Sequence, residues 1–193
     1  HTNAMFKKFS ASEGVSGSSL AKTSVSRNIK KSIAESYPEL EPENSDVSHL
    51  DTILGDKKQP LYLIKCHARV NMIAINKEPK FFSTHDEQWL PTLKLLHQFP
   101  DLLPTVQVDR GAIKFVLKGA DIMAPGLTSA GGDISKDFPA DTYVAIKAEG
   151  KQQILAIGKT VMSTEDMKKI NKGTAITNLH YLNDGLWNTT HIE

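Results

Sequence analysis

Val108-Asp109-Arg110-Gly111-Ala112-Ile113-Lys114-Phe115-Val116-Leu117-Lys118-Gly119-Ala120-Asp121-Ile122-Met123-Ala124-Pro125-Gly126 is the most informative stretch of this sequence. Residues 110–118 predict a helix. At about 100° per residue, with Ala112 at the origin, Val116 falls at about 40°, Ile113 at about 100° and Leu117 at about 140°. These four residues form one apolar face. Lys114 and Lys118 fall on the far side, and Phe115 lies beside them, away from the core. Gly119 stops the helix, residues 121–123 are strand-like, and Pro125-Gly126 predicts a turn. Asp121 leads into the strand, where it serves either as a cap or turn residue or as a ligand contact.

Outward from this stretch, residues 106–108, 143–149, 153–162 and 173–182 read as strands rich in β-branched residues. Ser163, with Asp166 three residues on, predicts a capped short helix. Short strands with turn glycines imply a small barrel. Towards the N-terminus, residues 61–66, 69–75 and 80–84 are strands, and Pro91 opens a helix that ends before Pro100. Thr23 or Ser24 caps a helix running to about Tyr37, with Val25, Ile29 and Ile33 as its apolar stripe. Residues 10–19 are small and polar and predict a flexible loop. Residues 39–60 predict an irregular acidic insertion with one helical turn near 47–54. Residues 1–4 resemble an expression scar. The expected organisation is α+β, with a mixed α/β domain over 5–100 and a β pseudobarrel over 101–193, hinged between Pro100 and Pro104.

Composition narrows the function. The chain has 193 residues, 39% hydrophobic and 23% charged, with a net charge of +1. That describes a globular protein of one or two domains. No apolar run is long enough to span a membrane. One cysteine excludes an internal disulfide and any zinc site with two thiolates, and implies a reducing, cytoplasmic setting. Phosphate-cradling and nucleophile-elbow motifs are missing. Cys66 and His67 are neighbours on a strand and face opposite sides, so no dyad is expected and Cys66 reads as a packing residue. His97 reads as a half-buried helix residue. Neither catalytic residues nor a metal, cofactor or small-molecule substrate are expected.

Residues 108–126 resemble the opening of a PUA domain. The strands around Val144-Ala145-Ile146 and Ile157-Gly158 are similar to its continuing pseudobarrel. Met5-Phe6-Lys7-Lys8-Phe9, Lys22-Thr23-Ser24-Val25, residues 91–97, Gly126-Leu127-Thr128-Ser129, residues 148–152 and His180-Tyr181-Leu182-Asn183-Asp184-Gly185-Leu186-Trp187 together resemble the malignant T-cell-amplified sequence proteins, also called translation machinery-associated protein 20. Residues 39–60 depart from that family. The resemblance implies a non-enzymatic RNA-binding translation factor. It implies a density-regulated-protein homologue as partner and action on the small ribosomal subunit and tRNA. The processes implied are non-standard initiation, reinitiation and recycling. A second reading is an RNA-targeting accessory protein for RNA modification or ribosome biogenesis. A third is a protein-interaction scaffold that touches no RNA.

The charge distribution agrees with RNA contact. Lys114 and Lys118 on an exposed helix face can neutralise phosphates, though such a face can equally be merely solvated. Gly119, Ala120, Asp121, Pro125 and Gly126 form a segment whose backbone can approach a ligand, or simply turn the chain. Lys147, Lys151 and Lys172 add charge without a face fixed by sequence. Lys7, Lys8, Arg27, Lys30 and Lys31 form a second basic patch assigned to the first domain, and the following segment from Glu39 to Asp56 carries six acids and no Lys or Arg. Two basic surfaces suit a protein that bridges two RNAs. Phe115, a large exposed aromatic, is the candidate partner contact.

Overall fold

The computed structural model describes residues 5–56 and 58–192; the segment expected to be an expression scar lies outside them. The chain forms two compact units. The first holds Ser10–Leu95 and the described residues from Thr189 on. The second holds Leu96–Asn188 and the described residues up to Phe9.

The first unit runs α1 (Ala11–Gly14), β1 (Val15–Leu20), α2 (Thr23–Ser36), a 3-10 turn (Pro38–Leu40), α3 (His49–Leu54), β2 (Tyr62–Cys66), β3 (Val70–Ile75), β4 (Glu78–Thr84) and β5 (Leu90–Pro91), then the start of α4 (Leu93–Gln98). Its five strands form an antiparallel meander in chain order. The segment expected to be a loop over 10–19 instead supplies α1 and the edge strand β1. Serines and a glycine have weak strand preference, but β2 offers a free ladder edge, and pairing from Val15↔Cys66 to Leu20↔Tyr62 engages the facing backbone groups of the two strands. Thr23 is the first residue of α2 rather than its cap: Lys22 holds that position without a side-chain bond. Ile29 and Ile33 are buried, whereas Val25 at the top of the stripe is 37% exposed. Tyr37 closes α2 and packs on Phe81 at 6.4 Å between ring centres, while its hydroxyl donates to the Trp89 carbonyl at 2.6 Å. Asn76 and Lys77 both take left-handed φ angles, the geometry of a two-residue hairpin turn, so β4 begins at Glu78.

The second unit runs from the last turn of α4 through β6 (Thr105–Val108), a 3-10 turn (Arg110–Ala112), α5 (Ile113–Val116), β7 (Ile122–Met123), α6 (Ala124–Thr128), β8 (Tyr143–Ala148), β9 (Ala156–Thr160), α7 (Thr164–Ile170) and β10 (Thr174–Tyr181). The sheet order is β6-β8-β9-β10-β7, with β6 parallel to β8 and every other pair antiparallel. The curled sheet wraps a core that includes Val106, Val116, Ile122, Leu127, Ile146, Met167, Ala175 and Ile176. Ser163 caps α7 by accepting from the Asp166 amide at 3.1 Å, as its spacing predicts.

The termini differ from expectation. By packing, the units divide inside α4, between Leu95 and Leu96. The reason lies in the last helical turn. Leu96 is fully buried, His97 Nε2 is 2.8 Å from the Ile154 carbonyl, and its ring lies 5.3 Å from Trp187. The N-terminal segment belongs with the second unit. Phe6 is buried, its ring meets Phe9 and His180 edge-on at 5.6 Å, and its carbonyl accepts from the Gly185 amide at 2.7 Å. The other terminus belongs with the first unit, where Ile192 is buried and donates its amide to the Lys77 carbonyl.

Candidate nucleic-acid interface

Asp109 organises the entry to the helical stretch. Its Oδ1 accepts from the Ala112 amide at 3.0 Å and its Oδ2 from the Ser129 hydroxyl at 2.8 Å. The stretch is shorter than expected: a 3-10 turn leads into one α turn, which ends at Val116 with Leu117 as its C-cap. The facing of its residues still follows the wheel. Val116 is 2% exposed, and Ala112, Ile113 and Leu117 pack against the same core. Lys114 and Lys118 are exposed, Phe115 is 53% exposed, and the Lys114 ammonium sits 5.1 Å above the Phe115 ring centre. Two cations and an aromatic ring therefore share an outward surface, the combination that binds phosphate and stacks bases.

The following turn is more committed to the fold than its glycines suggest. Gly119 has φ +88°, a left-handed conformation that suits glycine. Its amide donates to the Val116 carbonyl at 3.0 Å, and the Ala120 amide donates to the Phe115 carbonyl at 3.0 Å. Both N–H groups are spent on closing α5, so neither is free for phosphate. Asp121 Oδ1 accepts from the Asn178 amide at 2.9 Å, which makes it an anchor of the turn. Pro125-Gly126 is not a turn but part of the first turn of α6, where proline is well placed because its missing N–H would be unpaired anyway. A Cβ on Gly126 would meet only Ala112 Cβ, at 3.7 Å, so close approach does not require a glycine there.

The other basic residues scatter. Lys147 is half-buried on β8, while Lys151 and Lys172 are exposed. Lys172 stands beside the start of α6, because the Gly173 carbonyl accepts from the Ala124 amide at 2.9 Å. The patch assigned to the first domain is split. Lys7 and Lys8 belong to the second unit, whereas Arg27, Lys30 and Lys31 lie on α2. The apolar anchor Phe6 explains the move. Lys30 is also engaged: its ammonium donates to the Gly55 carbonyl at 3.1 Å and the Asp56 carbonyl at 3.4 Å. Arg27 and Lys31 remain exposed, one helical turn apart.

Sequence reasoning missed Arg110. Its amide donates to Glu149 Oε2 at 3.0 Å, and its guanidinium reaches so close to Gly150 that a Cβ there would sit 2.6 Å from Nη2. Arg110 thus lies against the Gly150-Lys151 turn. The clue was the left-handed Gly150 (φ +74°), but a contact spanning forty residues has no local signal. The stretch from His180 to Trp187 is structural. Asp184, 1% exposed, accepts from His180 Nδ1 at 2.7 Å, from the Tyr181 amide at 3.0 Å and from the Trp187 amide at 2.9 Å. Cys66 is buried and burial pushes its thiol up to about 11, while His67 points outward. That environment is the reverse of one that activates a nucleophile. Among the described residues no three His, Cys, Asp or Glu side chains gather as a metal site, and no helix is long and apolar enough to cross a membrane.

The Pre-PUA-like domain family matches residues 9–100 and the PUA domain family residues 104–182. A hypothetical protein of Pyrococcus horikoshii superposes with TM-score 0.65 at 24% identity, covering 90% of this chain and 99% of that one. A conserved PUA domain protein of Thermoplasma acidophilum gives TM-score 0.59 at 18% identity, over 88% and 97% of the two chains. Malignant T-cell-amplified sequence 2 of Homo sapiens is 48% identical over 185 residues, which span 95% of this chain and 97% of that protein. Translation machinery-associated protein 20 of Saccharomyces cerevisiae is 46% identical over 186 residues, 95% and 98% of the two. With nearly half the residues identical across almost the full length of both partners, and with both domain families matched, the chain belongs to the family of malignant T-cell-amplified sequence proteins and translation machinery-associated protein 20.

Proposed function

We propose that this protein is a non-enzymatic, RNA-binding translation factor of the cytoplasm. It acts with a density-regulated-protein homologue on the small ribosomal subunit and tRNA, in non-standard initiation, reinitiation and recycling. The association with translation rests on the family, one of whose members is named for the translation machinery. The observation that carries RNA contact is the outward cluster of Lys114, Phe115 and Lys118 on the PUA unit. Lys114 and Lys118 neutralise phosphates, with Arg110 and Lys151 extending the positive surface at the other end of the same stretch. Phe115 stacks on a base or fills a pocket of the protein partner. Arg27 and Lys31 on α2 supply a second contact, suited to ribosomal RNA.

The reading is tested by affinity capture of the protein from the cells that make it, at two salt concentrations. Small subunits and the density-regulated-protein homologue are expected to copurify at low salt, with the RNA-dependent fraction lost as salt rises. Copurification of an RNA-modifying enzyme without ribosomal subunits would favour the modification-accessory reading instead.

A further inference from the structure

Asn178 is an amide placed where the core of the second unit would accept a hydrocarbon. It lies on β10 opposite Gly158 of β9, and it is 1% exposed. Burying an amide is costly unless its polar atoms are paired. Its Nδ2 donates to the Val116 carbonyl at 3.2 Å and to the Ala120 carbonyl at 3.1 Å. Its backbone amide donates to Asp121 Oδ1 at 2.9 Å. Its Oδ1 is a buried atom without a donor. The orientation of the amide follows from the partners, since the reversed one would set Oδ1 against two carbonyl oxygens.

The location explains the need for these bonds. β7 is two residues long, and its ladder with β10 runs only from Thr174↔Met123 to Ile176↔Ile122. Among the described residues, no strand pairs with β10 on that side beyond Ile176. The three bonds of Asn178 take over from the ladder and tie β10 to residues 116, 120 and 121. That segment contains Lys118 and follows directly on Lys114 and Phe115. The β9–β10 register shifts between Asn178 and His180, an irregularity of the kind that re-aims side chains beside functional surfaces.

We propose that Asn178 is a positioning residue for the RNA contact: it holds the turn after α5 and thereby the spacing of Lys114, Phe115 and Lys118. This rests on the reading of that surface as RNA-binding. A leucine at this position fills the same space but leaves the Ala120 carbonyl unpaired and releases the turn.

The test measures amide hydrogen exchange and tRNA binding on the full chain, using a tRNA transcript as probe. In the wild-type protein, Gly119 and Ala120 amides are expected to be protected like those of β10; exchange at the rate of an open turn would overturn the proposal without any variant. In Asn178→Leu, exchange at Gly119 and Ala120 is expected to rise about tenfold, the scale of one lost hydrogen bond, with β8 and β9 unchanged. tRNA affinity is expected to fall by a similar factor, with a shallower salt dependence. Unchanged exchange, or raised exchange with unaltered tRNA binding while Lys118→Glu weakens it, would overturn the assignment. If Lys118→Glu also leaves tRNA binding intact, the RNA reading of this surface fails, and the exchange data alone decide whether Asn178 holds the turn. Should Asn178→Leu not fold, the wild-type exchange pattern decides.

Discussion

Replacing Lys114 and Lys118 together by Glu isolates the electrostatic part of the proposed RNA contact. Both side chains are exposed, and the Lys114 ammonium lies 5.1 Å from the Phe115 ring centre. Losing one exposed cation–π contact costs about 0.5–1 kcal/mol. In a protein of this size that lowers Tm by only about 1–4 °C. The effect on binding is larger and has a signature. Each phosphate contact contributes about 0.7–0.9 to the slope of log affinity against log salt, so two lost contacts flatten it by about 1.4–1.8. Between about 50 and 200 mM salt, a slope change of that size alters the ratio of the two affinities by about tenfold. Fluorescence anisotropy with a labelled tRNA across that range, beside thermal melting, reads both quantities. A slope and an affinity equal to those of the wild type would remove this helix from the RNA site. A collapse of Tm would refute the outward placement of the two lysines.

Phe115→Asp is expected to weaken partner or RNA binding by a few kcal/mol, the hot-spot scale, with the melting curve retained because the ring is 53% exposed; unfolding would make Phe115 a core residue. Asp184→Ala removes the carboxylate that accepts from His180 Nδ1 and from the Tyr181 and Trp187 amides, and a loss of about 3–5 kcal/mol is expected in chemical denaturation; a change below about 1 kcal/mol would contradict the pinning role of Asp184. Cys66→Ala is expected to leave tRNA and partner binding intact. The raised Cys66 thiol contributes stability that is complete below the ordinary thiol value of 9.0 and is lost as pH rises towards about 11. Denaturation of Cys66→Ala across that range is therefore expected to show a smaller alkaline loss than the wild type, and parallel losses would argue against burial of the thiol. Arg27→Glu with Lys31→Glu is expected to lower small-subunit binding at constant Tm, whereas Lys30→Ala is expected to lower Tm by breaking its bonds to the Gly55 and Asp56 carbonyls.

The contrast between Lys30 and its neighbours shows where sequence reading stops. Period and capping are local, and they carried far: the apolar face of Ala112, Ile113, Val116 and Leu117, the cap of Ser163 on α7, and the strands β2, β3 and β8 all follow from neighbours within a few residues. The outward placement of Lys114, Phe115 and Lys118 was legible for the same reason. β1 was not, because its serines gain order from β2, more than forty residues away in sequence. Charge is local too, but whether a charge is available is not. Lys30, Lys31 and Arg27 are equivalent in the sequence, yet the Gly55 and Asp56 carbonyls engage Lys30 while Arg27 and Lys31 stay exposed. Lys7 and Lys8 follow whichever unit buries Phe6, and that choice is made by His180 and Gly185 near the far end of the chain. Asn178 is the extreme case: its bonds to the Val116 and Ala120 carbonyls cross 62 and 58 residues, and alone in the sequence it is an ordinary polar residue in a strand. The chemistry of the surface could thus be read from Lys114 to Lys118, whereas the force that holds that surface in place could be read only from the fold.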